Sequence, residues 1–202
     1  MEPSRDDLTA LTDNPAAFLR HDNATLRRMA VSSLAPSDVS THLDTLHALA
    51  KDPDPPVRTA TADQLGHGDH TAIPILADLG RDTEASVREA VATAYGQLGD
   101  RTTLPWLQTA ATADDDRLVR EAATAAIGAI GDPSGLETLL GLIKEAPPQV
   151  RRRAIAAVTV FDDPRIEPAL RRAALDRNPS VREAAEMVVG RQISAMPRET
   201  QP

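Results

Sequence analysis

Residues 119–132 carry a single apolar stripe. Val119, Ala122, Ala123, Ala126 and Ile127 fall at i, i+3, i+4, i+7 and i+8, the spacing of one face of an amphipathic α-helix. Gly131 closes the stretch, because a residue without a Cβ enters the left-handed conformation that ends helices. The same register returns at Leu26-Arg27, Val57-Arg58, Val87-Arg88, Val150-Arg151 and Val181-Arg182. Successive spacings are 31, 30, 32, 31 and 31 residues. A fixed period of this size predicts stacked repeats.

The breaks between stripes place the remaining elements. Residues 1–22 are expected to form an irregular or helical cap. Asn23 suits the N-cap of a helix to Leu34, and Ser37 that of a helix over 38–50. Asp54-Pro55 opens a helix to about Leu65, since proline's missing N–H costs nothing at the first helical position. Further helices are predicted near 71–79, from the Asp82 turn to Gly99, and near 105–112, 119–131, 134–145, 150–160, 165–175 and 179–193. Residues 194–202 read as a flexible C-terminal tail. This makes about six helix–turn–helix units, none able to bury its stripe alone, so neighbours must stack. The expected fold is all-α: a right-handed α-solenoid of about six antiparallel helix pairs over 23–193, with no second domain.

Composition narrows the function classes. Aromatic residues are only 2%, so the core is built from Ala, Val, Leu and Ile through many small contacts. The chain has no Cys, which excludes disulfides and thiolate metal sites. The net charge of −8 argues against a general nucleic-acid binder. The first residues lack the apolar core of a signal peptide, and no apolar run is long enough to span a bilayer. A cytoplasmic protein without membrane contact is expected.

The recurring pattern, an acid in the turn, Val-Arg, Ala, Gly-Asp and then Pro in the following helix, resembles the HEAT repeat. It is closest to the short variety also found in phycobilin lyase subunits. Asp82, Val87-Arg88, Ala94, Gly99-Asp100 and Pro105 carry the resemblance, as do Asp114, Val119-Arg120, Ala126 and Gly131-Asp132. The resemblance implies a structural ladder between neighbouring repeats, from the turn acids, Asp82 and Asp114 among them, to Arg58, Arg88, Arg120, Arg151 and Arg182. Pro147-Pro148 and Asn178 stand where the fifth and sixth turns should supply acids, so the ladder is expected to break there.

Candidate chemistry is sparse. With Arg27, the arginines form a column about 10 Å apart in stacked helices. It reads first as this ladder and only second as a phosphate track, because acids accompany them. All five His lie in the first 70 residues without metal-ligand spacing, and none precedes a Glu as in HEAT-like iron hydroxylases. No phosphate loop, nucleophile elbow or His-Glu-x-x-His occurs. No catalytic, metal or cofactor site is therefore expected. Residues 38–116 hold 14 acids and 5 bases, and residues 117–202 hold 11 and 13. The acidic part suits a protein partner with a basic surface. Arg151-Arg152-Arg153 with Arg171-Arg172 is the one basic concentration. However, Glu89, Glu121 and Glu183 follow the ladder arginines and would repel phosphate, so HEAT-like DNA binding is disfavoured.

The exposed positions of the second helix of each pair, Thr59, Asp63, Glu89, Thr93, Glu121, Arg152 and Glu183, form the candidate partner-binding face. The expected function is a non-enzymatic scaffold or adaptor that binds a protein along this face. The alternative is a bilin lyase-like subunit handling a tetrapyrrole. Oligomeric state is left open.

Overall fold

The computed structural model describes residues 3–195. Twelve α-helices and no strand occur among them. Two compact units divide the chain, one up to Asp100 and one from Arg101 on.

In the first unit, α1 (Arg5–Asp13) and a short 3-10 turn over Pro15–Phe18 precede α2 (Ala24–Ser32). The pairs α3 (Leu43–Leu49) with α4 (Pro55–Leu65), and α5 (Ile73–Leu79) with α6 (Ala85–Leu98), follow. The second helices stack on one another, α2 on α4 and α4 on α6. Asn23 caps α2 through its side chain, accepting from the Thr25 N–H at 2.9 Å. The predicted helix over 38–50 is shorter than expected. Pro36–Asp38 form a 3-10 turn, and the α-helix begins only at Leu43. Ser37 donates to Asp38 rather than capping a backbone N–H, and Val39, Ser40 and Thr41 are weak helix formers beside a proline-set turn.

In the second unit, α7 (Leu104–Ala113) pairs with α8 (Arg117–Ile130), α9 (Leu136–Glu145) with α10 (Pro148–Ala157), and α11 (Ile166–Ala173) with α12 (Pro179–Ala195). Helix α10 stacks between α8 and α12, and α9 between α7 and α11. Ser194 and Ala195 belong to α12 rather than to the expected tail. Residues 196–202 lie outside the described residues.

The stripe of α8 is wider than its period implies. Val119, Ala123, Ala126 and Ile127 are buried, Ala122 is only half-buried, and Thr124 and Gly128 are buried in addition. A second helix packs both on its own pair and on the next repeat, so two faces must be covered. Thr124 is accommodated because its hydroxyl donates to the Arg120 carbonyl at 2.7 Å, leaving no polar atom orphaned. Gly128 lets the neighbouring helix approach: a Cβ there would sit 2.9 Å from the Ala157 Cα. Gly131 ends α8 at φ 66°, its N–H donating to the Ile127 carbonyl. Gly131→Ala forces an L-residue into that conformation and is expected to cost about 1 kcal/mol. A thermal melt lowered by a few degrees checks it.

Candidate functional site

The arginine column and the turn acids build one recurring joint. In four turns the first acid accepts the backbone N–H two residues on: Asp52 from Asp54, Asp82 from Glu84 and Asp114 from Asp116 at 2.9 Å, and Asp176 from Asn178 at 2.8 Å. This fixes the chain just ahead of the second helix. The arginine following Val then reaches back and staples the same turn. Arg58 Nη1 donates to the Asp52 carbonyl at 2.8 Å, Arg88 to that of Asp82 at 3.0 Å, and Arg182 to that of Asp176 at 2.8 Å.

The rest of the guanidinium joins repeats. Arg27 Nε and Nη2 donate to Asp52 at 2.8 and 2.9 Å, and Arg58 Nε and Nη2 to Asp82 at 2.6 and 2.9 Å. Arg151 Nη2 donates to Asp176 at 2.7 Å. Side chains in these three pairs are only 5–17% exposed. The expected break at the sixth turn is therefore corrected: the acid is Asp176, two residues before Asn178, and of Asp52 and Asp54, both open in the sequence, Arg27 takes Asp52. The N-cap and ladder positions both carry oxygen-bearing side chains, which hid the true one from the sequence.

The fifth turn differs. Ala146 stands at the ladder position, and Arg120 has no carboxylate partner among the described residues. Its Nη1 still staples the Asp114 and Asp115 carbonyls at 2.5 and 3.1 Å, but its Nε is buried with no acceptor. A buried unpaired donor costs about 1–3 kcal/mol.

Electrostatics follow the pairing. Hydrogen bonds from Arg58 hold Asp82 below the ordinary carboxylate value of 3.8, against its partial burial. Burial pushes Asp52 and Asp176 up, but Arg27 and Arg151, together with a backbone N–H each, outweigh it and leave both lowered.

The candidate face divides between the units. In the first, Thr59 and Asp63 lie on α4 and Glu89 and Thr93 on α6. Thr59 Oγ1 meets the Ser86 hydroxyl of α6 at 3.3 Å. Asp63 keeps contact with solvent, yet the protein around it desolvates the carboxyl and raises its pKa, with His67 offsetting part of the shift. In the second unit, Glu121 on α8 is half-buried and accepts from Arg117 at 2.7 Å. Arg152 on α10 and Glu183 on α12 are exposed, as is Met187. The basic concentration breaks up: Arg151 belongs to the ladder and Arg171 pairs with Glu167 at 2.7 Å.

Among the described residues no three His, Asp or Glu side chains gather as a metal site requires, and no helix is long and apolar enough to cross a membrane. Tyr95 is buried, its pKa pushed up to about 12 by that burial.

The family model for HEAT repeats matches residues 12–95, 79–158 and 137–201. Solved structures share the fold. The complex of CpcE and CpcF of phycocyanin lyase from Nostoc sp. PCC7120 matches with 23% identity and a TM-score of 0.64, over 89% of this chain and 76% of that one. The Escherichia coli protein YibA matches with 20% identity and a TM-score of 0.69, over 96% and 77%. A designed armadillo repeat protein in complex with a (KR)4 peptide matches with 15% identity and a TM-score of 0.59, over 89% and 98%. No curated protein matches the sequence.

Proposed function

The chain belongs to the HEAT repeat family, and from that premise we propose that it is a non-enzymatic scaffold that binds a protein partner carrying a basic segment. The surface is the solvent-facing side of the second helices of the first unit, α4 and α6, with Asp63 and Thr93 exposed and Thr59 and Glu89 half-exposed. The observation that carries the reading is Asp63. It is exposed on α4, has no ion-pair partner in hydrogen-bond reach among the described residues, and is crowded enough by the surrounding chain that its pKa is raised. A cation brought to such a carboxylate gains more than at an ordinary surface acid, because part of the desolvation is already met. Thr59 on α4 and Thr93 on α6 supply polar rim. That a designed armadillo protein of the same fold has been solved with a (KR)4 peptide supports the reading for this architecture. The bilin lyase-like alternative rests on the likeness of fold alone, and the glutamates Glu89, Glu121 and Glu183 count against a phosphate backbone.

Fluorescence anisotropy with labelled (Lys-Arg)4 and (Asp-Glu)4 peptides tests it. The basic peptide is expected to bind, with affinity falling as salt rises. Asp63→Lys with Thr93→Lys, both at exposed positions, should weaken it by about tenfold or more, equivalent to about 1.4 kcal/mol. Equal binding of both peptides, or no effect of the two substitutions, overturns the reading.

A further inference from the structure

We propose that the fifth turn is a carboxylate-binding site. There Arg120 takes from a ligand the anion that Arg27, Arg58 and Arg151 take from the next repeat. The inference does not rest on the proposed face and lies wholly within the second unit.

The register is the first argument. Ala146 stands 32 residues after Asp114 and 30 before Asp176; the six-residue spacing of the other ladder acids from their own arginines falls on Glu145, but it is the Ala146 carbonyl that Arg151 staples. Its backbone is extended at the end of α9, with φ −73° and ψ 166°, as that of Asp114 is at the end of α7, with φ −61° and ψ 139°. The Ala146 carbonyl is stapled by Arg151 as the ladder acids' carbonyls are by their arginines, but the turn is one residue shorter: α10 starts at Pro148, which has no N–H for a side chain at 146 to accept. The arginine is built like its neighbours. Its Nη1 is tied to its own turn, so the guanidinium is already ordered, while the buried Nε meets no acceptor. Arg27 and Arg58 use that same atom, with Nη2, to grip a carboxylate in a fork.

Space and charge complete the case. A cleft of about 670 Å³ opens beside Arg120, bordered by Thr138, Gly141 and Leu142 of α9 and by Ala146 and Pro147. A Cβ on Gly141 would meet nothing within 4 Å, so that wall leaves room for a ligand. Arg151 donates Nη1 to the Ala146 carbonyl at 2.6 Å, and its own Nε is buried without an acceptor. A second guanidinium therefore stands behind the site, as Arg58 does behind Asp52. Asp114 and Glu145 also border the cleft. Glu145 is paired with Lys144 at 2.9 Å, and the two acids disfavour a doubly charged phosphate relative to a singly charged carboxylate.

The test follows the arginine Nε–Hε resonances of the full chain by NMR during titration with sodium acetate, against sodium chloride at equal ionic strength. Two peptide arms use an Asp-Gly repeat and its Asn-Gly counterpart. The Arg120 resonance is expected to move saturably with acetate, with the Asp peptide, or with both, and not with chloride or the Asn peptide. Response to the Asp peptide at a concentration at least tenfold below that of acetate assigns the site to an acidic side chain of a polypeptide. Otherwise it is assigned to a small free carboxylate. In Ala146→Asp the resonance should already be displaced and the response weakened tenfold or more, with a higher melting temperature as the rung closes internally. Absence of a saturable shift with any carboxylate, or the same shift in Ala146→Asp, overturns the proposal. Because the face is tested with a basic peptide at Asp63, failure of one leaves the other standing.

Discussion

Val119→Asp is expected to abolish cooperative folding of the second unit. Val119 is fully buried in the first turn of α8, held there by Asp116, whose Oδ1 accepts the Leu118 N–H at 2.7 Å and the Val119 N–H at 3.3 Å. The substitution removes an apolar side chain whose burial is worth about 1.5–3 kcal/mol. It puts in its place a carboxyl with no room for water, a further penalty of about 2–7 kcal/mol if the group stays neutral without a partner. The sum rivals the whole stability of an ordinary domain, about 5–15 kcal/mol. Circular dichroism should show lost helicity or a melt lowered by tens of degrees. Lowering the pH should restore part of it, because the buried group is held neutral in the fold and charged in the unfolded chain. The control is Glu121→Gln, two residues away. Its side chain is 13% exposed but that of its partner Arg117 is 52%, and the glutamine oxygen can still accept from Arg117, so the change should cost about 1 kcal/mol or less and the melt should hardly move. A Val119→Asp protein melting like the parent would refute the packing of α8.

The period was legible because every repeat restates it: Val57, Val87, Val119, Val150 and Val181 are all fully buried. Gly99 and Gly131 were legible as stops because both take φ 66°. What a one-dimensional stripe does not contain is the next repeat. Burial of Thr124 and Gly128, the close approach at Ala157, and the Gln64 side chain donating to the Leu34 carbonyl at 3.1 Å all arise from helices one repeat away. The ladder failed in the same way. Asp52 and Asp54 look alike in sequence, and only the fold shows which one Arg27 reaches. The column of arginines was evident and its acid partners only partly so. The one turn without an acid was noticed through its prolines, whereas the residue that matters is Ala146. For the face, sequence named positions by their place after the ladder arginines. The desolvation of Asp63 comes from surrounding chain that no local pattern encodes.

Arg58→Ala should be the costliest change among exposed-looking charged residues. Arg58 makes two joints at once: the two-bond fork to Asp82, and the staple to the Asp52 carbonyl at 2.8 Å. Its side chain is 15% exposed and that of Asp82 10%. Truncation leaves a carboxylate largely shielded from water with, among the described residues, only the Glu84 N–H as donor. Breaking fully buried pairs costs about 3–5 kcal/mol, and the residual exposure here brings the expectation to about 2–4 kcal/mol. Asp82→Asn should cost less, since the amide oxygen can still accept from Glu84 and from one arginine nitrogen. The double variant should be less destabilised than the sum, by about 1 kcal/mol or more, which a double-mutant cycle reads directly. Acid supplies an independent check. Asp82 has a folded pKa below its unfolded value of 3.8, so its contribution is complete above that value and is lost as pH falls through the folded pKa. The stability gap between parent and Arg58→Ala should therefore be widest near neutrality and narrow below about pH 4. A gap that stays constant down to pH 2 would mean that Arg58 acts through its aliphatic packing and its staple alone, and that the fork contributes nothing to the register of the repeats.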